Sequence, residues 1–281
     1  SKEIDDHTYN NSLSEVLNEV NGFGIKLNIK MGSSIANENA FLFSELNKSL
    51  ILRKNSSEQL ARQLIQLSDD LATSDKELRQ KISFYHSKVM EEKTSVENFD
   101  SIKVSQYEAI LFDLKRKQDE YISLFESDYP QYYNLKYNTT MAKSETIQKE
   151  LLSDEQALVE YFFAESSLYV FVIDRNNFTV KELPLPDNLE EDIKLFNSAI
   201  RVSDQEAYSN LAFRLYNLVF KPVAELTNRK NLIVIPDGYL WQINFDLLLS
   251  KEGSKSDYRH YQYLIKDYNF SYAYSATLLL Q

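Results

Sequence analysis

Cysteine is absent from these 281 residues, and glycine and proline occur only five times each. Without cysteine the chain holds no disulfide, no cysteine–zinc site and no thiol nucleophile. A loop that cradles phosphate needs closely spaced glycines. Gly22 and Gly24 are a close pair, but no third glycine stands at the right offset. Of the three histidines, His7, His86 and His260, none has a second histidine at i+4, so each reads as a surface residue and no metal site is expected. No GxSxG elbow presents a serine nucleophile. Apolar runs never reach the ~20 residues of a membrane helix. The N-terminal SKEIDDHTYNN lacks the basic-then-apolar pattern of a signal peptide, so a cytoplasmic location is expected. Positive charge is also in deficit: 31 basic against 42 acidic residues leave a net charge of −11. Such a surface repels phosphate backbones, so neither nucleic acid nor a membrane is an expected partner.

What is present is a composition fit to fold, 43% hydrophobic and 26% charged. Residues 33–129 contain neither glycine nor proline and are free to be helical. Leu60, Leu64, Leu67, Leu71, Leu78, Ile82, Tyr85 and Val89 make one apolar seam, with Ser57 and Glu58 at its start. Tyr107, Leu111, Leu114, Gln118, Tyr121 and Phe125 make a second, and the polar SVENFDS between them predicts a turn. Two such helices pack as an antiparallel hairpin. Upstream, Leu13, Val16, Leu17 and Val20 predict a helix ending near Gly22 or Gly24. Another is expected at about 37–53, with Phe41, Leu42, Leu46 and Leu50 on its apolar side. Acidic pairs on the helices (Asp69–Asp70, Glu91–Glu92, Glu190–Glu191) read as solvated faces.

Beyond Asp128 the texture changes. Pro130 stops the helix, and most of the 19 tyrosines follow, Tyr132, Tyr133 and Tyr137 among them, read chiefly as packing residues. A short helix is expected at about 144–152. The runs 157–164, 167–174 and 178–185 then read as a meander of hairpins. Helices are expected at 187–201 and 204–224, with Pro222 near the end of the second. Leu232 to Ile235 is an apolar run cut off by Pro236, the pattern of a parallel strand buried on both faces. A further strand is expected over 263–275, with Ser275 as the N-cap of a closing helical turn at ATLLLQ. The Asp237-Gly238 pair reads as turn chemistry, at the edge of a sheet where α/β proteins bind ligands.

The order of these blocks resembles a CHAT domain, a caspase-like module related to separase, preceded by tetratricopeptide-like helices. AFLFSELNKSLILR (40–53) is similar to the helix that closes a tetratricopeptide array, and SDYPQYYNL (127–135) to the linker that follows. LLSDEQALVEYFFAESSLYVFVID (151–174) resembles the first hairpin. NLIVIPDGYLWQINFDLLL (231–249) carries the most specific match, with Pro236, Asp237, Gly238 and Phe245 at the family's positions. YLIKDYNFSYAYSATLL (263–279) matches the next strand, with Tyr274 and Ser275 before a helix. Asn244 departs from the proline often found there.

The fold class this implies is α+β or α/β. Residues 1–150 would be a helical tetratricopeptide-like region with a long hairpin, and 151–281 the first part of a caspase-like domain. The family's catalytic histidine and cysteine lie on later strands, so no catalytic residue is assigned, no cofactor is implied, and the chain alone is expected to be inactive. The closing ATLLLQ then reads as a processed end, an internal boundary or the edge of a split protein. The resemblance implies a parent cysteine endopeptidase, or a regulatory relative, gated by a protein partner on the helical region. Its peptide substrate would be met only by the complete protein. A sheet without later strands predicts an exposed edge and apolar faces, with a dimer through that edge as one consequence. The alternative is a non-enzymatic interaction module.

Overall fold

The structure is a computed structural model and describes residues 2–56, 68–94, 100–130, 133, 141–164, 167–253 and 258–280. The chain divides into two compact units, Ser1–Ile51 with Thr140–Leu280, and Leu52–Thr139. The first helix and most of the second thus group with the sheet.

In the first unit, helix α1 spans Lys2–Met31 and does not stop at Gly22 or Gly24. Glycine inside a helix costs about 1 kcal/mol, and close packing offsets that cost here. A Cβ on Gly22 would lie 3.0 Å from the Ala164 methyl, and one on Gly24 2.9 Å from the Phe43 ring. The true end is Gly32, whose φ of +65° is the left-handed C-terminal stop. Ser33 then caps α2, Ser34–Ser56, its Oγ accepting from the Ala36 N–H at 3.1 Å.

The buried side of α2 also differs from expectation. Phe41 is buried, but Leu46 is 38% exposed. The covered face is Ala40, Phe41, Ser44, Glu45 and Lys48. These residues share one side of the helix, and their polar groups find partners on the sheet. The side chain of Leu50 lies outside the described residues.

Further on come a short helix, α5 (Ser144–Thr146), with a π-helical turn at Ile147–Leu151, then β1 (Gln156–Phe163), β2 (Leu168–Asp174) and β3 (Phe178–Leu183). Helices α6 (Leu189–Val202) and α7 (Gln205–Leu215) follow. A π-turn, Tyr216–Phe220, links α7 to α8 (Lys221–Leu226), where Pro222 occupies the first turn, its tolerated place. Strand β4 is Asn231–Ile235, β5 is Asn269–Tyr272, and α9 is the turn Ala276–Leu279. The strand expected over 263–275 is therefore only four residues long. Its first part is a 3₁₀ turn at Leu264–Lys266, and the segment after Gly238 is two 3₁₀ turns, Gly238–Gln242 and Phe245–Leu247.

The sheet order is β3-β2-β1-β4-β5. β1, β4 and β5 run parallel, and β2 pairs antiparallel with β1 and β3. Alternation along β1 sorts the core: Ala157, Val159 and Tyr161 face the layer of α6, α7 and α8, while Leu158 and Phe162 face Ile25, Ala40 and Phe41 of α1 and α2. Both faces are thus covered by helices, contrary to the exposed apolar faces expected. The edge expectation stands in part: among the described residues no strand pairs on the outer side of β5.

The second unit contains α3 (Asp69–Thr94) and α4 (Ser101–Asp128). They pack as an antiparallel hairpin, with Lys93 Nζ 2.7 Å from Glu108, Lys103 Nζ 3.8 Å from Glu92, and the Tyr85 and Tyr107 rings 5.9 Å apart. Leu78, Val89, Leu111 and Phe125 are buried, as their seams predict. Asp100 caps α4 by accepting from the Ile102 and Lys103 N–H groups. Leu60, Leu64, Leu67, Ser57, Glu58, most of SVENFDS, Tyr132 and Tyr137 lie outside the described residues. Among the described residues no helix is long and apolar enough to cross a membrane.

Candidate functional site

The chain leaves β1 toward β2 and leaves β4 toward β5. The sheet therefore changes direction between two adjacent parallel strands, and their C-terminal ends form the crevice where α/β folds hold ligands. Pro236, Asp237 and Gly238 stand at this point. Asp237 Oδ2 accepts from the Phe163 N–H at 2.7 Å, tying the end of β1 to the end of β4. Gly238 has a φ of +47°, and a Cβ there would meet the Phe163 ring at 3.0 Å. Its backbone and the ring together leave room only for hydrogen.

Phe245 lies beneath the crevice, fully buried. It stacks on Tyr161 at 5.9 Å and touches Phe270 and Tyr272 with ring centroids 6.1 and 6.4 Å away. Its backbone N–H donates to the Tyr272 hydroxyl at 3.2 Å. Asn244 holds this turn by accepting from the Asp246 N–H at 3.1 Å. Tyr274 is 61% exposed and packs on Trp241 at 5.1 Å. Ser275 is buried and caps α9, its Oγ accepting from the Leu278 N–H at 3.1 Å.

Pro236, Asp237 and Gly238 thus cluster at the switch point. Phe245 supports it from below, Tyr274 joins an aromatic pair at its rim, and Ser275 turns inward as a structural cap.

Sequence reading missed the polar group that α2 brings to the same place. Lys48 is nearly fully buried. Its Nζ donates to the Tyr161 carbonyl at 2.8 Å and lies 3.7 Å from Asp237 Oδ1. Glu45, also buried, accepts from the Ala276 and Thr277 N–H groups at 3.0 and 2.6 Å. Ser44 donates to Glu160 Oε1 at 2.5 Å. Burial foremost, and then the neighbouring Glu45 charge, pushes the Glu160 carboxyl well above its ordinary range. Asn47 adds a bond to Asn18, and Asn18 Nδ2 reaches the Phe163 carbonyl at 3.2 Å. The signal in the sequence was periodic: Ala40, Phe41, Ser44, Glu45 and Lys48 share one helix face, a core stripe that turns polar halfway.

Two of the three histidines have described side chains, His86 and His260. Both are exposed. The carboxylates Asp70, Glu91 and Glu191 are exposed on their helices.

A comparison with curated proteins found no match. Over residues 209–281, which run from α7 through β4, the Pro236-Asp237-Gly238 turn and β5 to the Ser275 cap, the chain matches the CHAT domain family.

Proposed function

We propose that residues 151–281 are the first α/β part of a caspase-like CHAT domain, belonging to a cysteine endopeptidase or a regulatory relative, and that the helical region gates it by taking a protein partner. The observation that carries this reading is the parallel trio β1-β4-β5, whose outer edge on β5 is unpaired among the described residues. An unpaired edge is a template for a further strand. In this reading that strand, and others after it, bring a histidine and a cysteine to the C-terminal side of the sheet. There the thiolate attacks the peptide carbonyl and the histidine carries the proton. This chain contains no cysteine, so by itself it should cleave nothing. A purified sample that cleaves a peptide library, with contaminants excluded, overturns that expectation. The reading frame past residue 281 tests the peptidase: a histidine and then a cysteine, each after an apolar strand, supports it, and a stop codon supports the interaction module or a split enzyme completed in trans.

A second reading, an interaction module, has its own support. On α1, Val16, Val20, Phe23, Leu27 and Met31 recur every three or four residues and are 52–69% exposed, opposite the face that packs on α2 and the sheet. A stripe of this kind suits a partner helix. Pull-down with the whole chain, against a variant carrying Phe23→Ser and Leu27→Ser, tests it; equal recovery of partners by both removes this surface. A second copy pairing along β5 is the dimer form of the proposal. Light scattering that finds only monomer across concentrations rules that form out.

A further inference from the structure

The loop after Gly238 and the end of β5 enclose a cleft of about 340 Å³, lined among others by Trp241, Asn244, Asp246 and Tyr272. Trp241 and Tyr272 are each 43% exposed, and Tyr274 packs on Trp241 at its rim. The carboxylate of Asp246 is half-buried in this wall, and among the described residues no cation pairs with it. Its burial pushes its protonation point up, partly relieved by its own backbone N–H, and its charge in turn bears on the Tyr272 hydroxyl. The basic residues nearby, Lys194 and Arg201, line a neighbouring cleft that shares Gln242 and Asn244. Lys194 is already held by Glu190 at 2.5 Å.

Exposed aromatic faces beside an unpaired carboxylate are the elements that recognise an organic cation: the ring faces attract it, and the carboxylate forms charge-assisted hydrogen bonds. The chain uses half of this chemistry elsewhere, where Lys230 Nζ lies 4.1 Å over the Tyr268 ring. We infer that the Trp241–Tyr272–Asp246 cleft binds the guanidinium side chain of an arginine in a peptide segment. A guanidinium is chosen over an ammonium because its plane stacks on an indole while its edge pairs with a carboxylate. This goes beyond the peptidase reading and stands without it, since binding needs no nucleophile.

Trp241 is the single tryptophan of the chain, so its fluorescence reports the cleft directly. The probe is N-acetyl-arginine amide, titrated into the whole chain at fixed ionic strength. N-acetyl-citrulline amide, which has nearly the same shape and no charge, is the control. A saturable fluorescence change with the arginine probe is expected, weakened about tenfold or more by citrulline or by Asp246→Asn. Equal response to both probes overturns the inference, as does no response up to about 10 mM. If Asp246→Asn fails to fold by circular dichroism, the citrulline arm on the unaltered chain still decides. Tyr274→Ala then serves as the second variant, expected to weaken arginine binding. Loss of arginine binding leaves the peptidase reading untouched, because that reading is tested by cleavage and by the reading frame.

Discussion

Lys48 of α2 stands 3.7 Å from the carboxylate of Asp237, at the end of β4, and both are largely withdrawn from water. The pair joins the first helical hairpin to the switch point of the sheet. Lys48 also donates to the Tyr161 carbonyl, and Asp237 accepts from the Phe163 N–H, so each charge has a second partner. A buried pair of this kind adds little net stability over apolar packing, yet removing one member leaves the other charge stranded.

Lys48→Met should therefore lower stability by about 3 kcal/mol or more. Asp237→Asn should cost less, because the amide oxygen still accepts from Phe163. The exposed pair Lys181–Glu225 is the control: Lys181→Ala should leave the unfolding midpoint in urea nearly unchanged. Equal midpoints for Lys48→Met and Lys181→Ala would contradict the cost of stranding the buried Asp237 charge.

Glu160 predicts a pH dependence. Its folded protonation point lies above the ordinary value of 4.5. Above that value the unfolded chain releases a proton that the folded chain keeps. The stability this contributes is complete below pH 4.5 and is lost as pH rises through the folded value. Glu160→Gln is neutral throughout. The stability of the variant relative to the parent should therefore rise as pH climbs from about 5 through the folded protonation point, by at most about 1.4 kcal/mol per pH unit. A flat difference in thermal melts over that range would show that Glu160 is ionised in the fold.

Two glycines with positive φ separate strain from crowding. Gly32 has open space around its missing Cβ, and Gly238 has the Phe163 ring at 3.0 Å. Gly32→Ala should cost about 1 kcal/mol through backbone strain alone. Gly238→Ala should cost more, about 2–3 kcal/mol, since overpacking adds to the strain. Chemical denaturation of both variants compares them directly, and equal costs would mean that the Phe163 ring yields freely.

The aromatic floor and rim of the crevice should also differ. Phe245→Ala opens a cavity among Tyr161, Phe220 and Phe270 and should cost about 3–5 kcal/mol. Tyr274→Ala, at an exposed position, should change stability by no more than about 0.5 kcal/mol. A large loss of Tm in Tyr274→Ala would indicate that its stack on Trp241 holds the loop in place.

Much of this architecture was legible in the residues. The described parts of the two seams are the α3–α4 hairpin, because 3.6-residue periodicity states which side chains share a face. The apolar run at 232–235 is a buried parallel strand, since a strand covered on both faces needs no polar alternation. Ser275 is the cap its neighbours predict. The misreadings have one cause. Gly22 and Gly24 look like a helix end when only propensity is counted, but their role is to admit Ala164 and Phe43. Leu42 and Leu46 look like the core side of α2, but the side that is buried carries Ser44, Glu45 and Lys48.

The sequence by itself determined the described α3–α4 hairpin, the buried strand at 232–235 and the turn at Pro236-Asp237-Gly238, because those are properties of spacing, turn chemistry and apolar periodicity. Tertiary structure alone decided that α1 and α2 belong to the sheet and that Lys48 and Glu45 serve its edge. Lys48 meets Tyr161 across 113 positions and Glu45 meets Thr277 across 232. A buried polar group is tolerated only where a partner waits, and local pattern carries no information about a partner that far along the chain.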